Sequence, residues 1–89
     1  MQGTKKLNGS RAFDKALGAL IRDRRHSLRI SRESLANQLG VSRQGLAKWE
    51  SGERTFPVYA LALICEAISV DVGYFVRAAK EQVANESAS

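Results

Sequence analysis

The chain has 89 residues, 44% of them hydrophobic, and this length allows one domain with a modest core. Its single cysteine and single histidine exclude an internal disulfide and a cluster of soft metal ligands, so we expect neither a metal nor a cofactor. Fourteen Lys and Arg residues against nine Asp and Glu residues give a net charge of +5, which favours a polyanionic partner.

The N-terminal residues 1–11 are polar and contain glycines, so we expect a flexible basic arm or, alternatively, a loose tail. The basic residues of this arm are Lys5, Lys6 and Arg11. From Ala12 to about Ser27, apolar residues recur at helical spacing and predict the first helix. Gly18 weakens this helix unless another helix approaches it closely. Leu28 and Ile30, which follow the helix, are expected to be buried.

Two short helices follow, with a glycine between them. Ser31 can accept a hydrogen bond from the first amides of the second helix, and Glu33 suits the positive end of its dipole. Gly40 is the residue type that accepts the left-handed conformation past a helix end, and Ser42 is the candidate cap of the third helix. Because few residues separate these helices, they must cross steeply. This arrangement is a helix-turn-helix.

The third predicted helix, from Ser42 to Ser51, has two different faces when it is wound at about 3.6 residues per turn. The polar face comprises Arg43, Gln44, Ala47, Lys48 and Ser51. The other face comprises Gly45, Leu46 and Trp49. We expect the second face to pack on the protein, which leaves the first to offer hydrogen-bond donors to a partner.

Two further helices complete the predicted domain. Pro57 fits the first turn of the fourth helix, where its missing amide is not needed. The buried stripe of this helix is predicted to be Leu61, Ile64, Cys65 and Ile68. Asp71 is the candidate cap of the fifth helix, whose apolar spacing continues faintly to Val83. We therefore expect a domain over residues 12–84 and a disordered tail over residues 85–89.

The central segment resembles the Cro/repressor-type (XRE family) domains of phage repressors and many small bacterial regulators. The resemblance rests on Arg32, Ala36, Gly40, Leu46, Trp49 and the run Glu50-Ser51-Gly52. It extends from about Leu17 to Phe75 and includes both flanking helices. It implies an all-α, five-helix lambda-repressor-like fold, in which helices 2 and 3 form the helix-turn-helix, and it implies that double-stranded DNA is the partner.

The polar face of helix 3 contains the candidate base contacts, because an α-helix fits the major groove, where each base pair shows its own donors and acceptors. Gln44 can pair with adenine N6 and N7, and Lys48 can donate to guanine O6 and N7. Arg43 can reach a guanine or a phosphate, and Ala47 is small enough to touch a thymine methyl group. The positions of Arg43, Gln44 and Lys48 are the usual base-contacting sites of the XRE family. The alternative is a face that is only solvated.

The candidate phosphate contacts are Arg32, Ser42 and Arg54. Arg32 and Ser42 open helices 2 and 3, where free amides also favour anions. Arg54 resembles the basic loop residues with which family members hold the backbone; the alternative is an exposed side chain in a solvated loop. Family members often carry a glutamine at the position of Arg32, and that glutamine binds a phosphate and braces helix 3. An arginine can also bind the phosphate; whether it braces Gln44 stays open.

Other positions are implied by the resemblance to be structural. Arg25 and Glu50 occupy the positions at which related repressors form an ion pair between helices 1 and 3. Trp49 has the phase of a core residue. Gly45 stands where serine or threonine is usual in the family, and close packing against helix 2 would explain it.

The predicted function is that of a sequence-specific transcription regulator, expected to be a repressor that binds as a homodimer to two half-sites about one helical turn apart. The candidate dimer surface is helix 5, with Val76, Ala79 and Val83, although family members also pair near helix 4 and the loop before it. The alternative function is an antitoxin or another protein-interaction module. Its protein partner would be a toxin or a polymerase.

Catalysis and membrane binding are not expected. Four of the acidic residues are expected to be scattered among basic residues on exposed helix faces, without a nucleophile constellation. They are Asp14, Asp23, Glu33 and Glu66. No apolar run approaches the roughly 20 residues that span a bilayer, so we expect a cytoplasmic protein without a membrane partner.

Overall fold

Five α-helices and no strand make up the part of the chain that the computed structural model describes, residues 9–88. In chain order they are α1 (Ser10–Ser27), α2 (Arg32–Leu39), α3 (Arg43–Glu50), α4 (Val58–Ala67) and α5 (Val72–Ala88). The all-α, five-helix fold predicted from the sequence is therefore confirmed. Lys5 and Lys6 of the expected basic arm lie outside the described residues.

Several of the predicted helix caps are the ones that the chain uses. The hydroxyl of Ser31 accepts from the backbone N–H of Ser34 at 3.0 Å, which caps α2. Gly40 ends α2 in the left-handed conformation, with φ 73°. At the start of α5, the carboxylate of Asp71 accepts from the N–H of Tyr74 at 2.9 Å. These local hydrogen bonds satisfy amides that would otherwise lack partners, so the starts of α2 and α5 are set by their own sequence.

The core lies where α1 meets the other helices. α1 packs along α5 and against α3, while α2 contacts both α3 and α4. The largest fully buried side chains are Leu17, Ile21, Leu35, Leu46, Ile64, Cys65 and Ile68. The apolar stripes predicted for helices 1 and 4 are thus in the core, and burial of their surface drives the packing.

The burial expected for Leu28 and the exposure expected for Asp14 are both wrong. Leu28 is 39% exposed, because it follows the last turn of α1 and the chain turns away at Arg29, which has a φ of 60°. Asp14 is buried and accepts a hydrogen bond from the hydroxyl of Thr55, so it is not on a solvated face. A carboxylate can be buried at this point of α1 because the loop before α4 supplies a donor.

The helices at both ends of the domain are longer than the sequence pattern indicated. α1 begins at Ser10 rather than at Ala12, and α5 continues to Ala88 rather than ending near residue 84. The residues predicted to form the tail are thus part of α5 as far as Ala88. Residues 85–88 contain no glycine or proline, and Glu86 lines a groove against the N-terminal half of α1. The division of the chain into arm, domain and tail otherwise remains a prediction.

Gly18 lies where α1 comes close to the end of α3. A Cβ atom on Gly18 would lie 2.4 Å from the carbonyl oxygen of Glu50 and 2.5 Å from that of Trp49. The helix-weakening glycine is thus required by the close approach of another helix. Because the opposing atoms are backbone, they cannot rotate away as a side chain would.

We expect Gly18→Ala to lower the free energy of unfolding by about 1–3 kcal/mol, because the added methyl group overpacks a backbone contact. Gly73→Ala is the matched control, since the nearest atoms to its Cβ would be side-chain ends, those of Arg77 at 3.0 Å and Asp71 at 3.1 Å. Urea unfolding followed by circular dichroism measures both. Equal stability of Gly18→Ala and the wild type would contradict the contact.

Candidate nucleic-acid interface

The back of α3 is held by the core. Leu46 is fully buried, and the half-buried Trp49 lies against Phe56, with 5.7 Å between ring centroids. The hydroxyl of Ser42 accepts from the N–H of Gly45 at 2.9 Å and caps the start of the helix. The opposite side of α3 is consequently the one that faces solvent.

The candidate base contacts lie on this outer side and differ in how far their side chains are exposed to solvent. Arg43 and Gln44, in the first turn, are exposed, whereas Ala47 and Lys48 are partly covered. The Nζ atom of Lys48 lies 3.9 Å from a carboxylate oxygen of Glu53. An exposed ion pair of this length contributes little to stability, so Lys48 can leave it for another partner.

The candidate phosphate contacts occupy different surroundings. Ser42 uses its hydroxyl oxygen as a helix cap, and the hydroxyl proton can still be donated. Arg54 has an exposed side chain in the loop after α3, and its backbone N–H donates to the carbonyl of Lys48 at 3.2 Å. Arg32 donates from Nε to Glu50 at 2.9 Å. Among the described residues, no hydrogen bond joins Arg32 to Gln44, so the brace that it makes is to Glu50.

Arg25 and Glu50 form a buried ion pair that links α1 to α3. Arg25 donates from Nε to Oε2 at 2.7 Å and from Nη2 to Oε1 at 3.0 Å, which is a two-pronged contact. Its Nη1 donates to the carbonyl of Ile30 at 2.9 Å. With Arg32 added, the carboxylate of Glu50 receives donors from α1 and α2 together. The end of α3 is thereby tied to both neighbouring helices.

The surroundings of Glu50 favour its charged form. Burial by itself raises the pKa of this carboxyl group, but hydrogen bonds from Arg25 and Arg32, together with their charges, bring the pKa below its ordinary value. Cys65 shows the opposite effect: burial, assisted by the negative charge of Asp71, raises the pKa of its thiol. Cys65 is therefore a protonated core residue rather than a reactive group.

Besides the contact of Thr55 with Asp14, two long-range contacts made by arginines were missed from the sequence. Arg24 donates from Nε to the carbonyl of Ile68 at 3.0 Å and so caps the end of α4, 44 residues away. Arg32 reaches Glu50 across 18 residues. The only available signal was the density of arginines around the hinge, which does not tell a capping arginine from a DNA-binding one.

The explanation expected for Gly45 is wrong. Within 4 Å, a Cβ atom placed there would meet only the hydroxyl oxygen of Ser42, at 3.1 Å, and no atom of α2. Ala36 of α2, whose small side chain was expected to permit a close approach, is buried. Nothing in the packing of α2 explains a glycine at this position of α3.

The apolar residues proposed as the dimer surface of α5 are largely used within the domain. Ala79 is fully buried in the domain's own core, and Val76 and Val83 are partly covered, because α5 packs along α1. Large exposed apolar side chains stand at the start of α4, where Val58 is 84% and Tyr59 76% exposed, and in the first turn of α5, where Tyr74 is 62% exposed. The most exposed of these side chains are therefore those of α4.

The described part of the chain contains no group of three or more His, Cys, Asp or Glu side chains that could hold a metal ion. Within the same residues, no single helix is long and apolar enough to cross a membrane. Taken together, α4 and α5 have that length and composition, but they are bent by 110° relative to each other.

Comparison with known proteins identifies similar chains. A family model described as a helix-turn-helix domain matches residues 16–73. A Rhodospirillum rubrum protein named as an uncharacterized transcriptional regulator in the ATPase CF(0) region is 36% identical over 62 residues. That match covers 70% of this chain and 57% of the relative, so the chain spans little more than half of the relative's length.

Two crystal structures of the clp gene regulator ClgR from Corynebacterium glutamicum share the fold. The first has a TM-score of 0.77 and 28% identity, and the match covers 85% of this chain and 81% of that chain. The second has a TM-score of 0.72 and 27% identity, with 79% and 91% covered. The helix-turn-helix and the helices around it are thus similar in these proteins.

We expect the stability contributed by Glu50 to be lost in acid. Because the folded-state pKa lies below the unfolded one, this contribution is present above about pH 4.5 and disappears as the pH falls toward the lowered folded value. Glu50→Gln should lower the free energy of unfolding by about 3–5 kcal/mol near pH 7, since it leaves Arg25 buried without a counter-charge. Its stability should then fall less steeply than that of the wild type below pH 4.5.

Urea unfolding at a series of pH values measures this difference. Glu66→Gln, at an exposed position of α4, is the matched control and should follow the wild-type pH profile. Parallel profiles for Glu50→Gln and the wild type would show that the carboxylate is not the titrating group.

Proposed function

This chain belongs to the helix-turn-helix domain family, and we propose that it is a DNA-binding transcription regulator of the XRE type. The observation that carries the proposal is the division of α3 into two sides. Leu46 and Trp49 hold one side in the domain, while Arg43 and Gln44 stand exposed on the other. A helix that presents donors on its outer side fits the major groove of B-DNA.

Charge and relatives support the same function. The net charge is +5, and Arg32, Arg43, Lys48 and Arg54 all belong to α2, α3 or the loop that follows. This distribution attracts a polyanion toward the helix-turn-helix. The Rhodospirillum protein is named as a transcriptional regulator, and ClgR as a clp gene regulator.

In the proposed complex, α3 makes the base contacts. Gln44 pairs with an adenine, Lys48 leaves Glu53 to donate to a guanine, and Arg43 reaches a guanine or the adjacent phosphate. Ala47 lies between them and admits a thymine methyl group. Ser42, Arg54 and Arg32 hold phosphates at the rim and set the register of the helix in the groove.

The regulator is proposed to act in the cytoplasm as a repressor, in the form of a homodimer on a two-fold operator. One domain of this size makes few base contacts, so a second copy adds affinity and selects a pair of half-sites about one helical turn apart. Val58 and Tyr59 at the start of α4 support a dimer contact near this helix, because both are large, apolar and exposed. The same side chains would serve a protein partner if the chain were an antitoxin or an adaptor.

Salt dependence tests the proposal. A labelled duplex of random sequence should bind tightly at low salt, and its association constant should fall steeply as salt rises, because phosphates release counterions. Selection of bound duplexes from the same random pool should then yield a two-fold symmetric site. No affinity for duplex DNA at low salt would reject the regulator in favour of a protein-interaction module.

Single substitutions separate the proposed roles. We expect Gln44→Ala and Lys48→Ala each to remove about 1–3 kcal/mol of discrimination at one base pair. Arg54→Ala should weaken binding to all sequences alike, since a phosphate contact carries no base information. Titration of the selected duplex and of single-base variants measures both effects. Equal losses on selected and random DNA for all three variants would contradict the assignment.

A further inference from the structure

Two arginines donate to the carboxylate of Glu50, and they differ in how many of their nitrogens have acceptors within the domain. Arg25 donates from Nε and Nη2 to the carboxylate and from Nη1 to the carbonyl of Ile30, and its side chain is only 4% exposed. All three of its nitrogens thus have acceptors within the domain. One carboxylate and one guanidinium already balance in charge, so the pair is complete without a third group.

Arg32 is the third group, and it is only partly used. Its Nε donates to Oε1 of Glu50 at 2.9 Å, while 37% of its side chain is exposed. Among the described residues, the hydrogen bonds of Arg32 include none from its Nη atoms. Two guanidinium groups on one carboxylate leave a surplus of one positive charge in this cluster. A neutral donor would satisfy Oε1 without adding a like charge beside Arg25, so the surplus charge needs another explanation.

The orientation of Arg32 supplies that explanation. A guanidinium group is planar and rigid, and its two Nη groups form the edge farthest from the aliphatic chain. When Nε is held by Glu50, the far edge has fewer orientations open to it. A fork of two N–H groups that is held in this way matches two oxygens of a phosphate. Arg32 is also the first residue of α2, where the helix dipole favours an anion.

We propose that Glu50 is a positioning residue for DNA binding, which holds Arg32 by Nε so that the Nη groups meet one backbone phosphate. This inference rests on the DNA-binding function proposed above and adds a role for a buried residue that touches no DNA. Orientation before binding reduces the side-chain freedom that is lost in the complex. Arg25 keeps Glu50 in place, and Arg32 carries the contact to the surface.

The test compares Arg32→Ala and Arg32→Lys in the full chain, with a labelled random-sequence duplex as the probe. Arg32→Ala should weaken binding about tenfold, the loss expected for one charge-assisted hydrogen-bonded contact. It should also reduce the slope of log K against log salt by about 0.9, which corresponds to one phosphate. Arg32→Lys should recover little of the affinity, because one amine cannot hold Glu50 and a phosphate in the same geometry.

Arg77→Ala is the matched control. It removes the same charge from an exposed position of α5, outside the helix-turn-helix, and should keep the wild-type slope. Glu50→Gln completes a double-mutant cycle: if Glu50 acts through Arg32, Arg32→Ala should weaken binding less in the Gln background than in the wild type. Where Glu50→Gln does not fold, the lysine comparison decides.

Each result has a distinct meaning. If Arg32 served only the fold, Arg32→Ala would lower the free energy of unfolding and leave the salt slope unchanged, which overturns the inference. If Arg32→Lys bound as tightly as the wild type, a plain surface charge would be enough and Glu50 would have no positioning role. If the wild type itself bound no duplex, the proposed function would fail; an unchanged slope in a DNA-binding wild type rejects the phosphate contact alone.

Discussion

The carboxylate of Glu50, buried at the end of α3, is the constraint on which the arrangement of the first three helices depends. An unpaired charge in this position would cost several kcal/mol, so the carboxylate must be met by cations. They come from two different helices: Arg25 from α1 at 2.7 Å and Arg32 from α2 at 2.9 Å. A packing that moved α3 away from either helix would leave a buried charge with fewer donors. The ion pair therefore favours one orientation of α3.

Steric contacts at the same end of α3 act in the same direction. Gly18 allows the carbonyls of Trp49 and Glu50 to lie directly against α1, and Trp49 packs on Phe56 in the following loop. At the other end of the helix, Ser42 caps the first turn while Arg43 and Gln44 remain exposed. The packed side of α3 is thus fixed against the domain, while the side with Arg43 and Gln44 is open to solvent. A partner that binds the open side does not have to order the helix first.

The positive charge of the chain is not equally available for binding. Arg24 caps α4, and Arg25 is neutralised by Glu50, so both serve the fold. Arg43 and Arg54 are exposed, and Lys48 is held only by a 3.9 Å contact with Glu53. Arg43, Lys48 and Arg54 are therefore available to a partner at α3 and the loop after it, while other exposed cations, such as Arg77 on α5, lie elsewhere. A polyanion that approaches the helix-turn-helix meets these three cations.

The sequence by itself determined the features that depend on near neighbours. Ser31, Gly40, Ser42 and Asp71 bound their helices through contacts within a few residues, and helical periodicity identified buried residues such as Leu46 and Ile64. The tertiary structure alone decided where long charged side chains go. Arg24 meets Ile68 across 44 residues and Thr55 meets Asp14 across 41, and no local pattern specifies such partners. The reason is that these partners depend on how the helices cross. For the same reason, Gly18 could be explained only by its contact with α3, and the link from Arg32 to Glu50 could be found only in the folded chain.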